Sequence, residues 1–376
     1  MTILRTNTIA GIGTNGPVFD GDLEFNSQNY VILPKGTTDN RIGLTSTSGA
    51  LRYNTDSSKV ELYDGSQWTE VQSSRPDLNG GARGVFGGGF GVANLLTTEY
   101  INISSTGNAI SFGNLTGTNR GWISACASST RGVWGAGSDY PGNSRENTID
   151  YVTISSTGNA IDFGDLISGY EGFALASCSN STRGLWGGGF YPGATNVNVI
   201  QYITIASTGN AVDYGDLTVA RRGIGACSSS TRGVFGGGVD PANTNVIDFI
   251  TLSTLGNAQD FGDLVTSTRR DGNGACSNST RGLWAGGIAP TNAIDFVNIA
   301  TLGNASDFGD LTISRAYLAA CSSSIRGVFG GGSVGPAATN IIDYVTIQTQ
   351  GNAVDFGDTV TDRYTSAACS NAHGGL

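Results

Sequence analysis

Residues 231–239 read Thr-Arg-Gly-Val-Phe-Gly-Gly-Gly-Val, and close copies of this stretch occur along most of the 376-residue chain. The copies carry their arginine at Arg83, Arg131, Arg183, Arg232, Arg281 and Arg326. A Gly-Asn-Ala segment recurs with its glycine at Gly107, Gly158, Gly209, Gly256, Gly303 and Gly351. A single cysteine marks each copy, at Cys126, Cys178, Cys227, Cys276, Cys321 and Cys369. Six copies of each marker define six repeats of about 50 residues over residues 76–376.

The fourth repeat shows what one copy contains. It has four short apolar runs separated by Gly, Asn and Ser turns: Gly223–Ser228, Gly233–Gly237, Val246–Leu252 and Ala258–Leu264. Runs of this length and punctuation predict β-strands, and no helical period is present. Four strands in each 45–52-residue repeat indicate one blade of a β-propeller. The sequence therefore predicts an all-β chain with a six-bladed β-propeller.

The ends of the repeat region favour a closed propeller. The first copy begins at its second strand, and the chain ends on a lone first strand, Thr365–Leu376. We expect this C-terminal strand to pair with residues 82–115 and complete one blade, which leaves no open edge there. Glycines would allow crowded inner strands to approach. Aromatic residues next to them, such as Phe235 and Tyr214, would fill the space between blades.

The order of an arginine, an aliphatic–aromatic pair, a glycine cluster and a later Ile-Asp-Tyr-Val-Thr-Ile-type strand resembles the kelch repeat. The resemblance covers about 300 residues and implies one repeat per blade. It is incomplete, because Asp-Phe-Gly-Asp stands where the kelch tryptophan would be.

Residues 1–75 belong to no repeat and contain strand-like runs at Tyr30–Leu33 and Lys59–Tyr63. The stretch Gly49–Val71 predicts a hairpin that turns at Asp56–Ser58. It resembles segments of bacteriophage tail-fibre and other virion proteins, and the repeat is similar to that of structural proteins of marine cyanophages. These resemblances imply a virion protein whose residues 1–75 dock to other virion proteins or oligomerise. A simple β-rich cap on the propeller is the alternative.

Composition excludes several functions. With 20 Lys and Arg against 30 Asp and Glu, the net charge of −10 disfavours nucleic-acid binding. The absence of long apolar stretches argues against membrane insertion and a secretory signal. The only histidine is His373, and no catalytic, phosphate-binding or metal-binding motif is present. We therefore expect no enzyme activity, no cofactor and no metal, and six free, buried thiols.

Two sets of arginines need an explanation. The arginine of each glycine motif is expected to cap carbonyls or meet a carboxylate of the next blade. A second set lies six residues before the cysteines, at Arg120, Arg221, Arg270, Arg315 and Arg363, with Gly172 in the second copy. This set could form a broken ring that binds an anionic sugar or phosphate, or it could pair with aspartates. The Asp-Phe-Gly aspartates, such as Asp162 and Asp213, are expected to satisfy backbone donors or pair with arginine.

The loops after the second strands vary most between repeats, and variable loops on a rigid scaffold are where recognition usually lies. Two of these loops carry Tyr140, Arg145, Phe190 and Tyr191, and the neighbouring connections between blades carry Arg222 and Arg269. These six are the candidate ligand-binding residues. The sequence thus predicts a non-enzymatic phage virion protein of tail-fibre or adhesin type that binds a host cell-surface glycan. It is expected to assemble in the bacterial cytoplasm as a homo-oligomer, with a trimer favoured. A purely structural capsid or tail decoration protein is the alternative.

Overall fold

A computed structural model describes residues 33–41, 48–57, 59–70, 82–91, 95–117, 120–138, 145–168, 174–191, 195–265, 272–288 and 291–376. The chain divides into two compact units, Met1–Ser74 and Arg75–Leu376. Within the described ranges the regular structure is β-sheet, apart from one short 3-10 helix, Thr38–Arg41. The all-β prediction is therefore confirmed.

The first unit contains one four-stranded sheet in chain order: β1 (Lys35–Gly36), β2 (Leu51–Asn54), β3 (Lys59–Tyr63) and β4 (Trp68–Glu70). Strands β2 and β3 form the predicted hairpin, and β3 has the predicted bounds. Leu33 lies outside any strand, and the rest of the run from Tyr30 lies outside the described residues. Glu61 is buried and contacts Arg41, whose hydrogen bond is the main cause that lowers the pKa of this carboxyl.

Within its described residues the second unit contains five four-stranded antiparallel sheets and a sixth in which a short fifth strand joins the same four, numbered here in chain order. Sheet 1 consists of β31 (Ala367–Ser370), β5 (Arg83–Gly87), β6 (Thr97–Asn102) and β7 (Ile110–Asn114). Sheet 2 consists of β8 (Ser124–Ala127), β9 (Arg131–Gly135), β10 (Thr148–Thr153) and β11 (Ile161–Asp165). Sheet 3 consists of β12 (Ala176–Ser179), β13 (Arg183–Gly187), β16 (Val199–Thr204) and β17 (Val212–Asp216), and a separate hairpin joins β14 (Phe190–Tyr191) to β15 (Thr195–Asn196).

The last three sheets repeat this order. Sheet 4 consists of β18 (Gly225–Ser228), β19 (Arg232–Gly236), β20 (Val246–Thr251) and β21 (Gln259–Asp263). Sheet 5 consists of β22 (Gly274–Ser277), β23 (Arg281–Ala285), β24 (Thr291–Asn298) and β25 (Ser306–Arg315). Sheet 6 consists of β26 (Ala319–Ser322), β27 (Arg326–Gly330), β29 (Ala337–Thr346) and β30 (Val354–Arg363), and β28 (Ser333–Val334) also pairs with β29.

The C-terminal strand forms the predicted pair with the start of the repeat region. In sheet 1, Ala367 lies opposite Gly87 and Ser370 lies opposite Gly84. The last strand of the chain therefore becomes the first strand of sheet 1, and four strands come from two distant parts of the sequence.

Hydrogen bonds also join each sheet to the next at the outer strands. The asparagine of every Gly-Asn-Ala segment accepts a bond from a backbone N–H of the preceding sheet's fourth strand. For example, Asp165 N donates to Asn210 Oδ1 over 3.0 Å, and Asp358 N donates to Asn108 Oδ1 over 3.1 Å. The second example joins sheet 6 to sheet 1, so this contact occurs at all six junctions. The recurring asparagine thus gives one backbone N–H of an edge strand a hydrogen-bond partner.

The hydrophobic core lies between neighbouring sheets, as the aromatic residues predict. Trp134 is fully buried, and its indole packs against Gly87 of the preceding sheet. A Cβ added at Gly87 would lie only 2.8 Å from Trp134 Nε1. Phe86 occupies the same place against Gly330. Buried aromatic side chains of this size stabilise the packing by about 2–3 kcal/mol each. A side chain at Gly87 or at Gly330 would overlap the ring that faces it.

The cysteines fill a second set of contacts between sheets. A Cβ added at Gly184 would lie 2.5 Å from Sγ of Cys126 in the preceding sheet, and Gly84 meets Cys321 in the same way. All six cysteines are free and buried, as predicted. Burial raises the pKa of Cys178 and of Cys276 to about 12, so both thiols stay protonated at neutral pH.

The glycine clusters end the second strands, so the second predicted strand of the fourth repeat, Gly233–Gly237, extends one residue too far. Strand β13 ends at Gly187, whereas Gly188 and Gly189 have φ values of +67° and +112°. A Cβ at Gly188 would lie 2.5 Å from the carbonyl oxygen of Arg221. These glycines therefore end the strand and admit the backbone of the next connection.

Candidate functional site

The connections after the second strands and those between consecutive sheets lie on the same face. Isolated β-bridges join them, as between Gly121 and Ser138 and between Arg222 and Val239. We call the surface formed by these connections the loop face. It carries the variable loops in which the sequence placed the candidate ligand-binding residues.

Three of the predicted residues meet on the loop face and form the arginine–phenylalanine cluster: Arg145, Phe190 and Arg222. The guanidinium carbon of Arg222 lies 4.6 Å from the ring centroid of Phe190, and that of Arg145 lies 5.8 Å from it. Arg222 Nη1 also donates to Asn196 Oδ1 over 3.0 Å. A guanidinium held by stacking keeps a planar set of donors, the geometry that carboxylates and phosphates fit.

The cluster depends on elements from three repeats. The β14–β15 hairpin holds Phe190 opposite Asn196, and Asn196 Nδ2 donates to the carbonyl of Val239 in the next repeat over 2.8 Å. Tyr191 lies beside Phe190 in this hairpin and is half-buried. Tyr140 and Arg269, the other two predicted residues, lie outside the described residues.

The second set of arginines does not form a ligand-binding ring. Arg221 and Asp248 are fully buried and form an ion pair of 3.1 Å, and Arg315 pairs with Asp343 at 3.0 Å. Arg120 contacts Asp150, and Arg363 contacts Glu99, in the same arrangement. Burial lowers the pKa of all four guanidinium groups, and the paired carboxylates oppose that shift. The aspartate-pairing alternative is therefore correct for Arg120, Arg221 and Arg315, whereas Arg363 pairs with a glutamate. Arg270 lies outside the described residues.

The acidic partners are on the third strands, where sequence reasoning did not look. The fourth strand has a β-bulge opposite each of these acids: Ile149 lies opposite Gly164 and Asp150 lies opposite Asp162, so Phe163 is the extra residue. The Asp-Phe-Gly aspartates Asp162, Asp213, Asp260, Asp307 and Asp355 are exposed. Within the described residues they form no ion pair with arginine, so that part of the prediction was wrong.

The arginines of the glycine motifs are structural. Arg131 Nη1 donates to the carbonyl of Ile205 in the next sheet over 2.8 Å, and its guanidinium carbon lies 4.6 Å from the Tyr151 ring centroid. All six make the equivalent carbonyl bond, which confirms carbonyl capping rather than carboxylate pairing.

Sequence analysis missed a ring of residues four positions before the cysteines. We call it the mouth ring, and its members are Trp122, Ala174, Gly223, Gly272, Tyr317 and Thr365. Each has a positive φ between 53° and 68°. Each donates its backbone N–H to the carbonyl of the neighbouring member, over 2.7–3.3 Å, in a cycle of six bonds.

The mouth ring stores backbone strain. Of five non-glycine residues with positive φ in the described part of the chain, four belong to it. This conformation costs a non-glycine residue about 1–3 kcal/mol, and such strain is concentrated at functional sites. Aligning the repeats on their cysteines would have revealed the variation at this position, but not the conformation.

Below the mouth ring, the six first strands surround a central cavity of about 50 Å³ lined by their Ala, Cys and Ser residues. Five serines donate to a carbonyl of the neighbouring strand, as Ser179 Oγ does to Ala127 O over 2.8 Å. The sixth position is Ala127, whose carbonyl also accepts from His373 Nε2 over 2.9 Å. Burial lowers the pKa of His373, so its imidazole is neutral here.

Nothing in the described residues indicates a metal or a membrane-spanning helix. No group of three or more His, Cys, Asp or Glu side chains there could hold a metal ion. No helix described by the structure is long and apolar enough to cross a membrane. In comparisons with known proteins, no family model and no curated protein matches the chain.

Proposed function

We propose that the chain is a non-enzymatic bacteriophage virion protein of tail-fibre or adhesin type. Its second unit would be a six-bladed β-propeller with one sheet per blade. The loop face of this propeller would bind a host cell-surface glycan through the arginine–phenylalanine cluster.

The propeller proposal is supported by the repetition of contacts at every junction between sheets. The asparagine bonds, the arginine–carbonyl bonds and the backbone bonds of the mouth ring each occur six times. In each set, one bond joins sheet 6 to sheet 1. Six four-stranded sheets arranged around one central cavity are typical of this architecture.

The arginine–phenylalanine cluster is the observation that carries the binding proposal. Each glycine-motif arginine stacks on a ring of its own and donates to a carbonyl of the next sheet, whereas Arg145 and Arg222 both approach a single ring, that of Phe190 on the loop face. Stacked guanidinium groups bind the carboxylate or phosphate of an acidic glycan while the ring contacts the sugar. Arginine and phenylalanine supply no proton acceptor at neutral pH, which favours binding over catalysis.

Adsorption of particles to host cells tests this site. The Arg145→Ala/Arg222→Ala double variant should reduce adsorption at least tenfold, because each charge-assisted hydrogen bond contributes about 1.5–3 kcal/mol. Gln259→Ala on the exposed outer strand β21 is the control and should adsorb normally. Unchanged adsorption by the double variant would remove the cluster from the proposal.

The first unit would dock the protein to other virion proteins and form a homo-oligomer, with a trimer favoured. This part rests on the resemblance of Gly49–Val71 to virion protein segments. Deleting residues 1–74 should leave a folded monomer, measured by light scattering. A deletion product that stays oligomeric would place the oligomer interface in the second unit.

The alternative is a decoration protein with a purely structural role. The uniformity of the inter-sheet contacts favours it, since most of the chain serves the scaffold. Immunogold labelling with an antibody to residues 76–376 distinguishes the two roles. Label at fibre or tail tips supports adhesion, and label over the head or the tail shaft supports decoration.

A further inference from the structure

The mouth ring holds large side chains where its own backbone favours glycine. Its six backbone hydrogen bonds require a left-handed conformation at every position, whatever the side chain. Gly223 and Gly272 adopt that conformation without strain, and they show that glycine fits the ring. Trp122 and Tyr317 adopt it at a cost, so their side chains must contribute something that glycine does not.

Those two side chains form an aromatic wall on one side of the ring. Their ring centroids lie 4.7 Å apart at an interplanar angle of 78°. The Tyr317 ring also lies against Gly272, where an added Cβ would be 2.3 Å from Cδ1. Both rings remain partly exposed. The opposite side of the ring carries the small residues Ala174, Gly223 and Gly272, which leaves the wall accessible from there.

Beneath the wall is a cavity of about 70 Å³ with a mixed lining. Four aliphatic side chains line it, namely Ile123, Leu175, Ile224 and Leu318. Asn273 and Ser366 are the two remaining polar residues of the lining beside the mouth ring. Ser366 is only 7% exposed, and its Oγ has no hydrogen-bond partner among the described residues. A buried hydroxyl of this kind loses free energy unless a ligand or water bonds to it.

We propose that the mouth ring binds an N-acetylated amino sugar at the end of a glycan chain. The acetamido group has four heavy atoms, a size that fits the cavity. Its methyl would contact the aliphatic side chains, and its carbonyl would accept from Ser366 Oγ. The apolar face of the pyranose would pack on the wall formed by Trp122 and Tyr317.

This inference rests on the proposed function in that it supplies the glycan with a second subsite on the loop face. The two subsites have different chemistry: the arginine–phenylalanine cluster suits an acidic group, and the mouth ring suits a neutral acetamido sugar. Their tests are therefore independent.

Saturation-transfer NMR on the full-length protein tests the proposal, with methyl N-acetyl-β-glucosaminide as the probe at millimolar concentration. Transfer should be strongest at the acetyl methyl protons. The methyl β-glucoside, which lacks the acetamido group, should show at least tenfold weaker transfer. Equal transfer to both glycosides, or none to either, would overturn the proposal.

Variants locate the site. Ser366→Ala removes one hydroxyl and should raise the Kd about fivefold, the effect of one neutral hydrogen bond. Tyr317→Gly copies the neighbouring ring residues and should raise the Kd about tenfold while leaving the melting temperature unchanged or higher. Gln259→Ala, on the exposed outer strand β21, is the control and should leave the Kd unchanged. Binding that is insensitive to both Ser366→Ala and Tyr317→Gly would place the sugar elsewhere and refute the inference.

The Arg145→Ala/Arg222→Ala variant separates this proposal from the preceding one. It should retain monosaccharide binding even where adsorption is lost. Monosaccharide binding with normal adsorption by that variant would support the mouth ring and reject the arginine–phenylalanine cluster.

Discussion

The buried ion pair between Arg221 and Asp248 gives a stability prediction that depends on charge rather than on volume. Both side chains are fully buried, and Arg221 Nη2 lies 3.1 Å from Asp248 Oδ2. Asp248 also accepts a hydrogen bond from Thr218 Oγ1 over 2.5 Å. Replacing Asp248 by Gln, the residue of the third repeat, keeps a polar acceptor and adds one methylene but leaves the guanidinium charge unpaired.

The cost should be large, because an uncompensated buried charge destabilises a protein by about 3–5 kcal/mol. Total stability is typically about 5–15 kcal/mol, so Asp248→Gln would remove a substantial fraction of it. Burial already lowers the pKa of the Arg221 guanidinium, although the nearby Asp248 carboxylate acts to raise it. Its Nε and Nη1 atoms have no hydrogen-bond partner among the described residues, so the pair itself is imperfectly compensated.

The third repeat shows which second substitution should restore the stability lost in Asp248→Gln. There, Gln201 replaces the acid and Gly172 stands in place of the arginine. Gln201 Oε1 accepts from the backbone N–H of Ile167 over 2.8 Å, much as Asp248 accepts from Thr218 N. We therefore expect Arg221→Met/Asp248→Gln to cost no more than about 1 kcal/mol, since the unpaired charge is gone and the side-chain volume is largely kept.

Equilibrium unfolding in urea, followed by tryptophan fluorescence and circular dichroism, measures both variants. Coincident transitions by the two probes are needed before free energies are compared. The reasoning requires the double variant to be at least about 2 kcal/mol more stable than Asp248→Gln alone. Equal stability of the two would show that the charge of Arg221 is not what makes the single substitution costly.

Three further predictions concern other parts of the second unit. Gly184→Ala should destabilise the fold by about 1–3 kcal/mol because its Cβ would lie 2.5 Å from Cys126 Sγ. Adding Cys126→Ala should recover most of this loss in the same urea assay. If stability is not recovered, the contact between the two residues is contradicted. His373 has a lowered pKa, so the unfolded chain binds a proton that the folded chain excludes, and stability should fall below pH 6.5 by at most about 1.4 kcal/mol per pH unit. A His373→Gln variant should lose this component of the slope, and an identical slope would assign it to other groups. The six buried thiols should not react with a colourimetric disulfide reagent until the protein unfolds, and rapid reaction of the native protein would contradict their burial.

The sequence predicted much of the fold because each repeat tests the same pattern again. The four predicted strands of the fourth repeat begin and end within two residues of β18, β19, β20 and β21. The pairing of the C-terminal strand followed from counting strands at the two ends. A feature that recurs in all six repeats is expected to serve the scaffold rather than a single site. This expectation correctly identified the roles of the cysteines and of the glycine-motif arginines.

The remaining features depend on geometry that residue types do not encode. Strand alternation alone cannot show that Asp150 is buried while the opposing Asp162 is exposed, because a bulge shifts the register between them. Similarly, nothing in the identities of Trp122 and Tyr317 indicates a left-handed backbone, since glycine or asparagine is the usual signal. The cycle of hydrogen bonds imposes that conformation, and it exists only when all six repeats are present.

The pairing of β31 with β5 also determines when the protein can finish folding during its synthesis. Sheets 2 to 6 contain only strands that follow one another along the chain, so each can form soon after it leaves the ribosome. Sheet 1 also needs Ala367–Ser370, which the ribosome makes after every strand of sheets 2 to 6. Until this strand has been synthesised and has paired, β5 presents an unpaired edge to the crowded cell.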